Sequence, residues 1–108
     1  MTEKELQAAV VQLAKLLGWK VYHTYDSRRS EPGFPDLMML RGECALAVEL
    51  KSAKGKVTPA QLAWLNAFYE TGVGIGVWRP ADWMSGLIER VLRDPDMIYL
   101  RQSCYPGP

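Results

Sequence analysis

The amino-acid sequence predicts a single α/β domain whose elements follow in the order helix, three strands, helix, strand, helix. The chain has 108 residues, and 48% of them are hydrophobic, which suits one compact core. Apolar residues recur at helical spacing in three segments, and short runs of residues that favour extended structure lie between them. No internal repeat divides the chain, so we expect all the elements to share one core.

The first segment is predicted to be an amphipathic helix that ends at Gly18, a residue suited to the left-handed position after a helix. Its apolar stripe consists of Leu6, Val10, Leu13 and Leu17. Residues 20–24 favour extended structure and are predicted to form a strand, and the polar residues 26–33 a loop.

The middle of the chain is predicted to form an antiparallel hairpin. Two apolar runs, 37–41 and 45–51, lie on either side of Gly42 and Glu43, and this short separation suits a tight turn. A solvated link at 52–57 follows the second run.

The second half of the chain is predicted to form a helix, a strand and a further helix. Thr58 and Pro59 suit the N-cap and first residue of a helix that ends at Gly72. Its predicted inward stripe is Leu62, Leu65 and Phe68. Residues 73–78 are predicted to form a strand, and a third helix begins at Pro80. The apolar residues of that helix are Trp83, Leu87, Val91 and Leu92, and the residues that end it are Asp94 and Pro95.

Composition gives little direct information about a partner. Thirteen Lys and Arg against twelve Asp and Glu leave a net charge of +1, so nucleic-acid binding would need a local basic patch or metal ions. Cys44 and Cys104 lie far apart without zinc-site spacing, which is typical of a reduced intracellular protein. No apolar run approaches the roughly 20 residues of a membrane span, and the polar N-terminus does not resemble a signal peptide. We therefore expect a cytoplasmic protein.

The predicted hairpin brings charged residues together. Glu49 and Lys51 are two residues apart in a strand and share one face, whereas Leu50 points to the opposite face. Asp36 follows Pro35 at the start of the preceding strand, so antiparallel pairing is expected to place it beside Glu49.

Two carboxylates held this close repel each other, and a shared proton or a cation relieves the repulsion. Magnesium suits such a site, because it takes one or two carboxylates together with waters and phosphate oxygens. Lys51 can offset charge on a phosphate or help to hold an attacking water deprotonated. The arrangement therefore indicates metal-assisted hydrolysis of a phosphodiester bond.

These residues also carry a family resemblance. The segments Gly33-Phe34-Pro35-Asp36-Leu37 and Val48-Glu49-Leu50-Lys51 resemble the PD-(D/E)XK nuclease signature, and with a downstream Gln61 on a helix they are similar to the VRR-NUC family. The resemblance spans roughly residues 2 to 78. It implies a restriction-endonuclease-like domain over 1–95, with a central mixed four-stranded sheet flanked by helices. Residues 96–108 are expected to be a C-terminal tail, either an edge strand or a loose segment.

The resemblance also implies the roles of individual residues. Mg²⁺, for which Mn²⁺ can substitute, would be bound by Asp36, Glu49 and the backbone carbonyl of Leu50. Lys51 would be the catalytic lysine. Glu5 and Gln61 would contact a metal-bound water or orient Lys51, and Glu5 is a further candidate for the metal itself. Stand-alone members of the family resemble phage and bacterial enzymes that act as homodimers on branched DNA such as four-way (Holliday) junctions.

Several of these residues have a simpler structural interpretation. Thr2-x-x-Glu5 and Thr58-x-x-Gln61 both fit a capping box, in which the side chain three residues on bonds back to the start of the helix. Asp36 after a proline is also a common turn residue. Glu49 and Lys51 together could instead be a charged pair that protects an edge strand.

The polar loop before the hairpin adds candidate DNA contacts. Arg28 and Arg29, with Ser27 beside them, could hold a DNA phosphate or could be solvated loop charges, and Lys54 is a similar candidate after the hairpin. The sequence thus favours a magnesium-dependent DNA endonuclease. The alternative is a nucleic-acid-binding module that keeps the same scaffold without cutting.

Overall fold

A computed structural model describes residues 1–25 and 30–95 of the chain. Its elements are α1 (Glu3–Leu16), β1 (Lys20–His23), β2 (Leu37–Arg41), β3 (Cys44–Leu50), α2 (Pro59–Glu70), β4 (Gly74–Trp78), α3 (Pro80–Met84) and α4 (Leu87–Arg93). Up to β4, this is the predicted order. The predictions for Ser27, Arg28 and Arg29 and for the tail at 96–108 lie outside the described residues.

The four strands form one mixed sheet in the order β1-β2-β3-β4, which confirms the expected fold class. The pairs β1–β2 and β2–β3 are antiparallel, whereas β3 and β4 are parallel and are connected through α2. The β2–β3 hairpin closes at the Arg41–Cys44 pair, and Gly42 adopts the positive φ that such a tight turn requires. β3 ends at Leu50, so Lys51 is the first residue after the strand and not its last.

The core lies between one face of the sheet and the helices α1 and α4. Along each strand, successive side chains point alternately to this face and to the opposite face of the sheet. The fully buried residues from the sheet are Leu37, Met39, Leu46, Val48 and Leu50, and those from the helices are Leu6, Val10, Ala14, Ile88, Val91 and Leu92. Glu49 therefore points away from this core, to the face that carries α2.

The predicted inward stripe of α2 is partly wrong. Leu65 is buried, but Leu62 is 52% exposed. The inward positions include Gln61, Trp64 and Phe68, which have the i, i+3, i+7 spacing of one helix face. Leu62 lies outside this face, because the capping box and the aromatic contacts of Trp64 set a different rotation of the helix.

The predicted third helix is in fact two short helices. Gly86 adopts a left-handed conformation with φ +84° and separates α3 from α4. The two apolar halves then pack separately, because α3 directs Trp83 against the core and α4 buries Ile88, Val91 and Leu92. Leu87, which was expected to face inward, is 38% exposed at the start of α4.

Arg41 fixes the helices at the turn end of the hairpin. Its guanidinium donates hydrogen bonds to the carbonyls of Leu17, Leu92 and Arg93, at distances of 3.1, 2.8 and 3.1 Å. It also lies 5.2 Å from the ring centre of Trp19, whose indole N–H donates to Leu92. The last carbonyls of two helices are thereby satisfied by one cation.

Candidate active site

Asp36 and Glu49 lie side by side at the open end of the hairpin. Leu37 pairs with Val48, so the next position outward brings the two acids together on the face opposite the core. Asp36 Oδ2 accepts a hydrogen bond of 2.8 Å from the Leu50 amide. The carbonyl of Asp36 accepts a second bond, of 3.0 Å, from the Thr24 amide. Asp36 is thus held by the strands on both sides of it.

Glu49 is the one charged side chain that is fully buried in the part of the chain that the structure describes, with only 3% of its surface exposed. Its Oε2 accepts a hydrogen bond of 3.0 Å from Gln61 Nε2 and lies 3.8 Å from Lys51 Nζ. Its Oε1 is buried and receives no hydrogen bond from any described residue. A buried charge with one unpaired oxygen is costly, and such an oxygen is available to a ligand.

The pKa of Glu49 is raised from 4.5 to about 8. The largest cause is burial, which disfavours the charged form, followed by the negative charge of Asp36 and by the hydrogen bond that a protonated Glu49 would donate to Asp36. Lys51 opposes this shift, and the more distant charge of Glu3 adds to it. At neutral pH, Glu49 therefore favours its protonated form unless a ligand neutralises its charge.

Gln61 both caps α2 and bonds to Glu49. Its Oε1 accepts a hydrogen bond of 2.9 Å from the Thr58 amide, and its own amide donates to the Thr58 hydroxyl, which completes the capping box. The side-chain Nε2 remains free to donate to Glu49. The two interpretations that the sequence left open are therefore compatible, because the two ends of the amide group serve different partners.

Glu5 occupies the other capping box. Its Oε1 accepts a hydrogen bond of 2.7 Å from the Thr2 amide, and this bond lowers the pKa of the Glu5 carboxyl. The acid of α1 whose charge reaches Glu49 is Glu3, two residues earlier. Sequence reasoning overlooked Glu3, because it has no partner at a characteristic spacing and Glu5 matched the capping pattern more visibly.

Gly33 brings the polar loop against the beginning of α2. It has a φ of +85°, and a Cβ atom there would lie 2.5 Å from the backbone carbon of Ala60. Phe34 then packs edge-on against Trp64, with 5.0 Å between ring centres, and against Phe68. This close approach, which only glycine permits, sets the position of α2 and hence of Gln61 relative to the carboxylates.

Arg79 supports the loop that carries Lys51. Its Nη1 donates to the carbonyls of Ser52 and Gly55, at 2.8 and 2.6 Å, while the Lys51 amide donates to Trp78. Lys54 is exposed on this loop. No sequence pattern links Arg79 to residues so far back in the chain; only the parallel pairing of β3 and β4 brings them together.

The carboxylates open into a cleft of about 260 Å³. Besides Asp36, Glu49 and Gln61, its walls include Thr24, Tyr25 and Glu31. Within residues 1–25 and 30–95, no group of three or more His, Cys, Asp or Glu side chains is placed to hold a metal. Two carboxylates fit a magnesium ion nonetheless, because that ion keeps several waters and takes few protein oxygens. The unpaired Oε1 of Glu49 is the observation that supports this fit.

No helix among the described residues is both long and apolar enough to cross a membrane.

Comparisons with known proteins were made for the family, for curated sequences and for solved structures. A model of the VRR-NUC domain matches residues 1–82. A structure described as a VRR-NUC domain is 25% identical, with a TM-score of 0.66, and the match covers 82% of this chain and 97% of the other. A VRR-NUC domain protein is 24% identical, with a TM-score of 0.63 and coverage of 82% and 86%. No curated protein matches the chain.

A looser likeness links the chain to Hjc of Archaeoglobus fulgidus, which is described as a Holliday junction resolvase. The two are 24% identical over 72% of this chain and 65% of Hjc, with a TM-score of 0.49. The family model, in contrast, covers 82 of the 108 residues, including Asp36, Glu49, Lys51 and Gln61. The chain therefore belongs to the VRR-NUC family of nuclease domains.

Proposed function

We propose that the protein is a magnesium-dependent endonuclease that hydrolyses phosphodiester bonds in DNA. The observation that carries this proposal is the buried Glu49 beside Asp36, with one oxygen that no described residue pairs and its pKa raised to about 8. A purely structural acid would gain nothing from this placement, because burial without a full set of partners destabilises the fold. A divalent cation would neutralise both acids and use the unpaired oxygen.

Asp36 and Glu49 would hold the metal together with the backbone carbonyl of Leu50. The Leu50 amide faces Asp36, and the carbonyl of a residue in a regular strand points to the same side as its amide. When bound there, magnesium would stabilise negative charge on the phosphate and lower the pKa of a water molecule. Mn²⁺ has similar ligand preferences and is expected to substitute.

Lys51 and Gln61 act around the carboxylates. Lys51 Nζ lies 3.8 Å from Glu49 Oε2, and its charge can stabilise a phosphate oxygen or the attacking hydroxide. Gln61 donates to Oε2 of Glu49, which leaves Oε1 available to a ligand. Among the candidate phosphate contacts, Ser27, Arg28, Arg29 and Lys54, the exposed Lys54 lies closest in sequence to the site.

We further propose that the substrate is branched DNA, such as a four-way junction, and that two copies act together. The described residues form one cleft that contains both Asp36 and Glu49, so two symmetric cuts need two copies. The sheet face beside α2 offers apolar surface to a second copy, because Tyr22 and Leu40 are 60% and 52% exposed there. A monomer in light scattering at working concentration would contradict the homodimer.

A cleavage assay tests the function directly. The protein is incubated with a four-way junction, a flap and a plain duplex, each with Mg²⁺, Mn²⁺ or EDTA. We expect cuts on the branched substrates with either metal and none in EDTA. Binding without products under both metals would favour the alternative, a binding module on the same scaffold. Equal cleavage of plain duplex would remove the preference for branched DNA while leaving the nuclease intact.

A further inference from the structure

A second groove of about 370 Å³ runs along the outside of α1 beside β1. Lys4 and Lys15 lie near its two ends, and Gln7 and Gln12 lie between them. These residues follow one face of the helix, and the two lysines, eleven positions apart, are separated by about 16 Å along the helix axis. His23 from β1 forms the opposite wall. The groove thus has cationic ends and amide donors along its length.

Tyr25 connects this groove to the active-site cleft. It lies in the wall of the cleft with Asp36 and Glu49, yet 82% of its surface is exposed. Its ring packs against the ring of His23, with 3.8 Å between centres and a tilt of 48°. One aromatic pair therefore borders both concave surfaces. The support from His23 restricts the Tyr25 ring, so that a partner binding to its open face loses less conformational entropy.

A single strand of DNA matches this combination of features. Proteins that bind unpaired strands combine aromatic side chains, on which bases stack, with a groove whose cations follow the phosphates. A paired base offers no free face to Tyr25, because it is already stacked within the duplex. Glu5 follows the groove residue Lys4 in the sequence. Its carboxylate accepts a hydrogen bond from the Thr2 amide at the N-terminal end of α1.

We propose that an unpaired strand leaves the active-site cleft over the Tyr25–His23 ring pair and lies along the α1 groove between Lys4 and Lys15. One unpaired base stacks on Tyr25, next to the phosphate that is cut. This inference rests on the proposed nuclease function and deepens it. It attributes the preference for branched DNA to a surface that accepts an unstacked nucleotide beside the site.

The test compares variants that change stacking with variants that change charge. Tyr25→Ala removes the ring, whereas Tyr25→Phe keeps it. Lys4→Glu and Lys15→Glu reverse charge in the groove, and Lys20→Glu is the matched control. Lys20 is an exposed lysine of β1 on the sheet face opposite to His23, because the two are three positions apart in the strand. Far-ultraviolet circular dichroism confirms that each variant is folded.

Binding is measured in EDTA by fluorescence anisotropy, on a blunt duplex and on the same duplex with a single-stranded arm. The cut position is first mapped with the parent in Mg²⁺, and a 2-aminopurine base is then placed beside it. Quenching of this base reports stacking. We expect Tyr25→Ala to weaken binding of the armed substrate about tenfold and to abolish the quenching of 2-aminopurine, whereas Tyr25→Phe retains both. The logarithm of the affinity is plotted against the logarithm of the salt concentration, and each groove lysine should contribute about 0.7 to the slope. Lys20→Glu should leave this slope unchanged.

The outcomes separate this proposal from the nuclease function. If the parent cuts the armed substrate but Tyr25→Ala and Lys15→Glu bind and quench as the parent does, the strand path is wrong and the nuclease stands. An equal loss for Lys15→Glu and Lys20→Glu would also reject the path, because general charge would then explain the binding. If the parent neither binds nor cuts any substrate, both proposals fail together.

Discussion

The two ends of the β2–β3 hairpin treat a charged residue in opposite ways. At the turn end, Arg41 donates to three carbonyls and lies against the ring of Trp19. At the open end, Glu49 is more deeply buried than Arg41, but one of its oxygens has no partner among the described residues and a second carboxylate lies beside it. The Arg41 charge satisfies the last carbonyls of two helices. Glu49 lacks a full set of partners within residues 1–25 and 30–95, which is typical of a group that serves a ligand.

The two charges differ in how they affect the stability of the fold. A charge with complete hydrogen bonding stabilises the fold, whereas an incompletely paired buried charge destabilises it until a proton or a cation is bound. Functional sites commonly break the rules that the rest of a fold obeys. The comparison therefore predicts that changes at the open end mainly affect cleavage and changes at the turn end mainly affect stability.

The largest effect is expected for Lys51→Ala. Loss of the amine beside Glu49 removes the cation that stabilises charge at the scissile phosphate, and cleavage in Mg²⁺ should fall about 100- to 10,000-fold. Single-turnover rates on a junction measure the change. Lys56→Ala, an exposed lysine of the same loop, is the control and should cut at the parental rate. Parental cleavage by Lys51→Ala would show that this residue has no catalytic role.

At the turn end, Arg41→Ala should reduce the free energy of unfolding by about 2–4 kcal/mol. The substitution leaves three carbonyls without their donor and removes the cation from the Trp19 ring. Urea unfolding at pH 7 measures the loss, and Arg90→Ala, an exposed residue of α4, should change stability by less than about 1 kcal/mol. Cleavage at a temperature where Arg41→Ala is folded should stay within a few-fold of the parent. A stable but inactive variant would contradict the separation of the two ends.

Glu49→Gln tests the same comparison through the pH dependence of the free energy of unfolding. Because the folded pKa of about 8 lies above the ordinary value of 4.5, the folded protein holds the proton more tightly than the unfolded chain. Without metal, the contribution of Glu49 to the free energy of unfolding is therefore fully present below pH 4.5 and is lost as the pH rises through about 8. The loss should be on the order of 2–4 kcal/mol after allowance for screening by water.

Urea unfolding in EDTA at pH values from 5 to 8.5 measures this contribution. The parent should lose stability across the range relative to Glu49→Gln, which has no proton to lose and should also be inactive. Addition of Mg²⁺ should restore the parent at pH 8 but not the variant. Parallel pH profiles of the two proteins would show that Glu49 does not carry the raised pKa.

The hairpin and its acids could be predicted from the sequence because local rules determine them. Strand alternation places Glu49 opposite to Leu50, and the short turn at Gly42 aligns it with Asp36. The rotation of α2 could not be predicted, since Leu62 fits the apolar period as well as Trp64 does. The packing of Phe34 against Trp64 and the close approach of Gly33 to Ala60 decide between them, and both contacts join segments far apart in the chain.

The surroundings of the site were less predictable for the same reason. Arg79 reaches the loop after Lys51 only because β3 and β4 pair in parallel, and no spacing in the sequence records this. The break at Gly86 was also missed, because a single glycine within an apolar helical period is compatible with a continuous helix. Long-range contacts thus determined most of what the local patterns left open.

The smallest expected effects distinguish the two acids at the start of α1. Glu5→Ala removes a capping bond, so the midpoint of urea unfolding should fall slightly while the cleavage rate stays unchanged. Glu3→Gln removes a charge that raises the pKa of Glu49, so the pH at which the unliganded protein loses stability should move downward slightly. Cleavage by Glu3→Gln should fall a few-fold, because its charge acts on the same carboxylates that would hold the metal. If Glu5→Ala instead loses cleavage while Glu3→Gln retains it, the capping bond seen for Glu5 opens when substrate binds, and Glu5 returns to the site.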